Sequence, residues 1–339
     1  MDLRIHHDPA VSTPAARMLF LCAACLLLLG MAAVGSLAFG EFDLPLDAVP
    51  HVLWDSDDSD AAFVVRELRL PRLLTGLLAG GALGMAGAIT QSITRNPLGE
   101  PSLMGVTAGA AFAIVACMAF FSLPTATMLA CGTVGGIFAA LLTFSIGLRM
   151  RMQPLNLTLI GMSVNLFFAA AITLLLVSSH VEANGIYYWL TGSLAGRSWQ
   201  HVHLLWPWVA AGLGLGIAFA RVLDLLALDD DLLASLGLRV LRWRLLLGLI
   251  AVLLTAATVA ATGPLAFVGL VAPHIVRFCL HRPGGEAPHR YLLPLSALTG
   301  AALIGGADLL AKRQEIPVGI LCVLLGGPLL VHLVRKQGD

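Results

Sequence analysis

Charge is what this sequence has least of: only 12% of its 339 residues are Asp, Glu, Lys or Arg, and lysine occurs just twice, at Lys312 and Lys336. Soluble domains carry about 25% charged residues, so a water-soluble fold is excluded. Disorder and coiled coil are excluded with it, since both need charge that is not there. The 20 basic and 20 acidic residues cancel, which leaves no electrostatic footprint for nucleic acid. Neither lysine follows a glycine, so there is no Walker A loop to cradle a nucleotide phosphate. Paired carboxylates and the His-Glu-x-x-His and G-x-S-x-G motifs are also missing, which argues against an intramembrane enzyme. Asp224 and Asp308 fall at the ends of apolar stretches and no acid falls in the middle of one. A proton or sodium relay therefore lacks the deep ionisable groups it requires. Of the six cysteines only Cys22 and Cys25 have a metal-type spacing, and inside an apolar run they read as small packing residues. The ten histidines are scattered over loops and stretch ends, with no facing pair.

What the chain does have is apolar length: 58% of its residues are hydrophobic. A bilayer core of about 30 Å needs about 20 apolar residues per helix. Ten such stretches are expected, at 18–39, 73–94, 103–121, 128–148, 155–177, 204–223, 245–261, 265–280, 292–310 and 316–334. They form a single transmembrane domain over the whole chain, 1–339. Arg17 and Ser36-Leu37-Ala38 give the first stretch a faint signal-peptide character, but its uncharged length exceeds that of a typical h-region, and it reads as a span. With both termini inside, 14 basic residues fall on the inner side and six on the outer, the orientation that the positive-inside rule favours. Gly76, Gly80, Gly84 and Gly87, then Gly132 and Gly136, line up on helix faces where backbones can approach closely in lipid.

Three islands interrupt the apolar background. The first is Arg69-Leu70-Pro71-Arg72, with Gln91 and Arg95-Asn96-Pro97-Leu98-Gly99-Glu100-Pro101-Ser102-Leu103-Met104-Gly105 behind it. The second is Trp189-Leu190-Thr191-Gly192-Ser193-Leu194 with Trp199. The third is Gly263-Pro264-Leu265-Ala266-Phe267-Val268-Gly269-Leu270-Val271-Ala272-Pro273-His274, followed by Ala307-Asp308 and Ile316-Pro317-Val318-Gly319-Ile320. In this order, from about Arg66 to Arg335, the islands resemble the FecCD or type II ABC importer permeases, which serve bacterial uptake of iron siderophores, haem and cobalamin.

The resemblance implies an all-α integral membrane protein of ten helices in the bacterial inner membrane. It also implies a second permease subunit, identical or homologous, two cytoplasmic ATPases and a periplasmic binding protein. No cofactor belongs to this chain; ATP and Mg belong to the ATPases. The two broken-helix signals, after Asn96 inside and at Gly263-Pro264 outside, are a faint echo of the family's inverted repeat. Leu228, Asp229, Asp230, Asp231, Leu232, Leu233, Ala234, Ser235, Leu236 and Gly237 match the coupling segment that fits a groove on the ATPase. Asn96, Pro97 and Leu98 with Pro154, Leu155 and Asn156 correspond to the two cytoplasmic gate constrictions. Arg69, Arg72, Lys312 and Arg313 correspond to docking points for the binding protein. Snorkelling of the arginines to lipid headgroups, and an i,i+4 pair of Asp308 with Lys312, are the structural alternatives. His274 and Arg277 recur in the family without an assigned role. The expected cargo is a ferric siderophore, with Gly185-Ile186-Tyr187-Tyr188-Trp189-Leu190 and Trp199-Gln200 resembling ferric citrate members. Haem and cobalamin, or ATPase-independent secondary transport, are the alternatives.

Overall fold

A computed structural model describes residues 14–40, 43–54, 59–150, 154–178, 183–235, 237–280, 287–314 and 316–338. Among these residues every regular element is a helix, and there is no strand. Long helix α1 (Pro14–Ala38) is followed by the short α2 (Ala48–Trp54) and α3 (Asp60–Phe63). A π-helical stretch, Val64–Arg69, then leads without a break into α4 (Leu70–Thr94). A 3-10 turn at Pro101–Met104 precedes α5 (Val106–Phe120), α6 (Thr125–Arg149) and α7 (Pro154–Ser178). Next come the short α8 (Ala183–Leu190), then α9 (Trp199–Ala218), and the small α10 (Ala220–Leu226) and α11 (Asp230–Ser235). The long helices α12 (Val240–Thr262), α13 (Val268–Leu280), α14 (His289–Lys312) and α15 (Val318–Gly338) complete the chain. Among the described residues seven helical segments are long and apolar enough to cross a membrane, and three shorter apolar helices lie within α5, α13 and α15. The chain is thus a multi-pass membrane protein. The long helices run alternately up and down, so α10 and α11 mark one end of the bundle, called here the α11 end.

The centre of the bundle is α4, which packs against α14, α12, α13 and α9. Its small residues dictate this. A Cβ at Gly80, Gly84 or Gly87 would overlap the carbonyl oxygens of Gly300, Ser296 and Gly269 in turn, so α14 and α13 approach α4 backbone to backbone. In lipid, where apolar surface gains nothing by leaving the solvent, such close packing is what holds helices together. Gly136 meets α12 and α5 at Ala256 and Val106 in the same way. Polar groups in the core are satisfied locally: Thr255, Thr258 and Thr262 each donate to the carbonyl four residues back, at 2.7 to 2.9 Å. The cysteines are all free thiols.

Two helices start late. α5 and α13 have 15 and 13 residues, about 22 and 19 Å at 1.5 Å per residue, short of a full crossing. Each is preceded by non-helical chain that enters from a different end: residues 95–105 from the α11 end, residues 263–267 from the other. Non-helical backbone at such depth is tolerated where protein or a cavity surrounds it.

Candidate functional site

At the α11 end, α4 stops because Arg95 adopts a left-handed conformation (φ 48°), and the Asn96 amide folds back to the Gln91 carbonyl at 3.1 Å. This is a Schellman-type cap. The Arg95 side chain then reaches across to the chain around α11. Its Nε donates to the Leu226 carbonyl at 3.1 Å, and its Nη2 donates to the Leu228 carbonyl and to Asp230 Oδ1, the latter at 2.7 Å. Arg244 near the start of α12, only 8% exposed, grips the same carboxylate with both Nη atoms, at 3.0 and 2.9 Å. Asp230 therefore joins three elements. Within the expected coupling segment, Leu233 is fully buried, while Leu228 and Leu232 are 41% and 48% exposed. Gly237, at φ +77°, ends the turn, with the Gly237 amide on the Ala234 carbonyl. Leu236 lies outside the described residues.

Immediately after Arg95 the chain makes a tight turn. Asn96 Oδ1 accepts the Leu98 amide at 2.9 Å, and the Asn96 carbonyl accepts the Gly99 amide at 2.9 Å. Leu98 is 45% exposed, and Leu155 at the start of α7 is 71% exposed; Asn156 is half-buried. The turn and the first residues of α7 are thus both at the surface at the α11 end. Further in, a small cavity lies between α4, α7 and the turn, lined by Thr90, Thr94, Glu100 and Thr158 among others. Thr143 of α6 donates to the Met104 carbonyl at 2.9 Å, and Gly161 of α7 lets the Leu103 carbonyl approach. Together they hold the 3-10 turn against α6 and α7.

His274 and Arg277, which lacked a role, now have partners. Arg277 of α13 donates to Gln91 Oε1 of α4, and Gln91 Nε2 lies within reach of the Leu270 carbonyl at 3.3 Å. His274 is buried and donates through Nδ1 to the Leu270 carbonyl at 2.8 Å. Both residues thus bear on the α4–α13 contact or on α13 itself. A second tie at the α11 end was not foreseen. Asp224 Oδ1 of α10 accepts from His289 Nδ1 at 2.7 Å, and His289 Nε2 meets Ser92 Oγ of α4 at 2.6 Å.

At the opposite end the arginines bond within the bundle. Arg69 is only 4% exposed, because its guanidinium satisfies the Leu37 and Ala38 carbonyls at the end of α1, at 2.7 and 3.0 Å. It is an internal tie between α1 and the start of α4. Arg72 does not face outward freely either: its Nε and Nη2 clasp Asp308 of α14 at 3.1 and 2.7 Å. Asp308 is therefore paired with α4 and not with Lys312, whose Nζ donates instead to the Ser36 carbonyl. Of the four expected docking residues, only Arg313 is exposed; Arg72 and Lys312 are half-buried. The π-helical turn frees the Arg66 carbonyl for Trp199 Nε1 at 3.0 Å. In the loop before α9, burial pushes the Arg197 guanidinium down to about 10, still a cation at neutral pH. It donates to the Ser193 carbonyl at 3.1 and 3.2 Å.

Sequence reading missed Glu100. The first island contains it without a role, yet its carboxylate accepts the amide of Phe267 from the segment entering at the other end, at 3.1 Å.

Known proteins share this architecture. The sequence matches the FecCD transport family over residues 25–336. It is 33% identical over 336 residues to the Fe(3+)-citrate import system permease protein YfmD of Bacillus subtilis (strain 168), covering 98% of each chain. It is 41% identical over 280 residues to the Fe(3+) dicitrate transport system permease protein FecD of Escherichia coli (strain K12), covering 81% of this chain and 86% of the relative. A solved structure described as a metal-chelate type ABC transporter in an inward-facing conformation superposes with a TM-score of 0.82 at 30% identity, over 94% of this chain and 99% of the other. A match along nearly the entire length, in sequence and in helix arrangement, has one meaning: the chain belongs to the FecCD transport family.

Proposed function

We propose that this chain is the permease subunit of an ATP-driven importer that carries a ferric siderophore of the citrate type across the bacterial inner membrane. Both termini and α11 then lie in the cytoplasm. The observation that carries this reading is the Asp230 junction: the exposed leucines around α11 are bonded through Asp230 to Arg95, the residue directly before the turn at Asn96, Pro97 and Leu98. A motor pressing on Leu228 and Leu232 would move that turn without needing to deform a helix. The ATPase, holding ATP and Mg, supplies the energy. Two such subunits and a second permease, identical or homologous, complete the membrane assembly, and Leu98 and Leu155 face the path between the permeases as its cytoplasmic gate together with Pro154 and Asn156. A periplasmic binding protein delivers the cargo, with Arg313 the basic residue best placed to meet its acidic groups. Small and apolar path walls suit transient passage, because tight binding at an intermediate would slow release.

The citrate class is supported by the two relatives above, permeases of Fe(3+)-citrate and Fe(3+) dicitrate transport systems. The test is uptake of radioactive iron as ferric citrate into proteoliposomes holding this chain, its partner permease, the ATPase and the loaded binding protein. ATP-dependent uptake is expected, and Leu232→Arg should abolish both uptake and co-purification of the ATPase, since a cation would replace an apolar contact in its groove. Uptake driven by a proton gradient with the ATPase omitted would contradict the proposal, as would full activity of the arginine variant.

A further inference from the structure

The two non-helical segments that precede α5 and α13 come from opposite ends of the bundle and meet at one side-chain hydrogen bond, from the Phe267 amide to Glu100 Oε1, at 3.1 Å. Phe267 is an unusual residue to find there. Its φ is +68°, a conformation that a bulky side chain adopts only where the surroundings enforce it. Its carbonyl accepts the Val271 amide at 2.8 Å, so Phe267 serves as the N-cap of α13. Its own N–H points out of the helix, and Glu100 receives it. A carboxylate at that place also faces the positive end of the α13 dipole. Beside the bond, Pro101 lies against Gly269, and Gly269 against Gly87 of α4, so the junction is enclosed by protein. Gly87 is seven residues, about 10 Å, from the last residue of α4, which puts the contact inside the bundle rather than at its rim. In the other direction Glu100 is one residue from the Asn96–Gly99 turn, and Arg95 before that turn is bonded to Asp230. Two side-chain contacts, joined by the short stretch of chain from Arg95 to Glu100, therefore connect α11 to the segment that enters from the far end.

We propose that Glu100 is a positioning residue for transport. Its carboxylate fastens the turn next to α11 to the entry segment of α13, so that the two move as one unit and a displacement imposed at one end of the path is felt at the other. The proposal rests on the importer reading above and adds to it the link between the two sides.

The complete complex, with ATPase and binding protein in proteoliposomes, tests it. Glu100→Met fills similar volume without an acceptor. It should assemble and keep basal ATP hydrolysis, while stimulation by the loaded binding protein and uptake both fall by about ten-fold, the size of a typical coupling energy. Glu100→Gln retains an oxygen that accepts the Phe267 amide, and should restore most of both. A residue that merely stabilised the fold would lower basal hydrolysis and stimulated hydrolysis together. Unchanged stimulation in Glu100→Met overturns the proposal, and so does a Glu100→Gln variant as uncoupled as Glu100→Met. Hydrogen exchange on the wild-type complex needs no variant: peptides covering 95–105 and 263–270 should change protection together when ATP is trapped, and a change in only one of them also overturns it. Absence of ATP-driven uptake by the wild-type complex would instead remove the importer reading itself, and the role of Glu100 with it.

Discussion

At the scale of single residues, the ionisable side chains divide into those whose environment could be read from neighbouring sequence and those whose partner lies far along the chain. Gly237, at φ +77°, closes the 228–237 segment with a signal that sequence carries, because helix stops are local. The partner of Asp308 has no such signal. Lys312, four residues on, is the partner a helix offers, but the close approach of α4 and α14 at Gly80 and Gly84 brings Arg72 alongside, 236 residues away in sequence. Arg72 offers a forked guanidinium that can clasp both carboxylate oxygens. Asp308 keeps only 4% of its side chain exposed and Arg72 keeps 19%, so breaking the pair from one side should cost about 2 kcal/mol, less than in a fully buried pair. Thermal unfolding of the detergent-purified protein should show Asp308→Ala less stable than the double variant Arg72→Met with Asp308→Leu, which leaves no unpaired charge. Equal stabilities would mean that the pair is not what ties α14 to α4 at that end.

At the scale of elements, apolar length alone located the long helices to within a few residues, since lipid permits little besides helices across its core. The glycine stripe told correctly which face of α4 would be crowded. What composition could not reveal is where a helix begins in depth. α5 and α13 contain apolar residues on both sides of their first turn, so the expected stretches at 103–121 and 265–280 ran through the points where the chain is still non-helical. The short helices α2, α8, α10 and α11 also escaped a reading tuned to bilayer length, apart from α11, which its resemblance to a coupling segment singled out. The glycine contacts give the element-level prediction. Gly84→Ala forces a methyl group onto the Ser296 carbonyl, and overpacking of this kind costs about 1–3 kcal/mol. Gly214 of α9 has no atom within 4 Å of where its Cβ would be. Gly214→Ala should therefore leave the melting temperature unchanged or slightly raised, while Gly84→Ala lowers it by several degrees. The reverse order would show that the α4–α14 contact is looser than its geometry indicates.

At the scale of the whole molecule, the bundle presents two different ends. At one, arginines and a lysine are turned inward to carbonyl groups and to Asp308, stitching α1, α4 and α14 together. At the other, Asp230, Asp224 and His289 hold α10, α11, α12 and α14 around the end of α4, and leave Leu228 and Leu232 uncovered. This asymmetry follows from a scarcity visible in the sequence: the few charges that helix ends bring together serve as fastenings. An energy source acting at the α11 end meets a bonded route inward through Arg95. That reading requires α11 to be in the cytoplasm. Ser235, exposed at the end of α11, offers the most direct measurement. Ser235→Cys, in a background with the native cysteines replaced, should react with a membrane-impermeant maleimide in inside-out vesicles and stay unlabelled in right-side-out ones. Labelling from the outside alone would place α11 on the wrong side of the membrane for an ATPase and contradict the importer reading at its base.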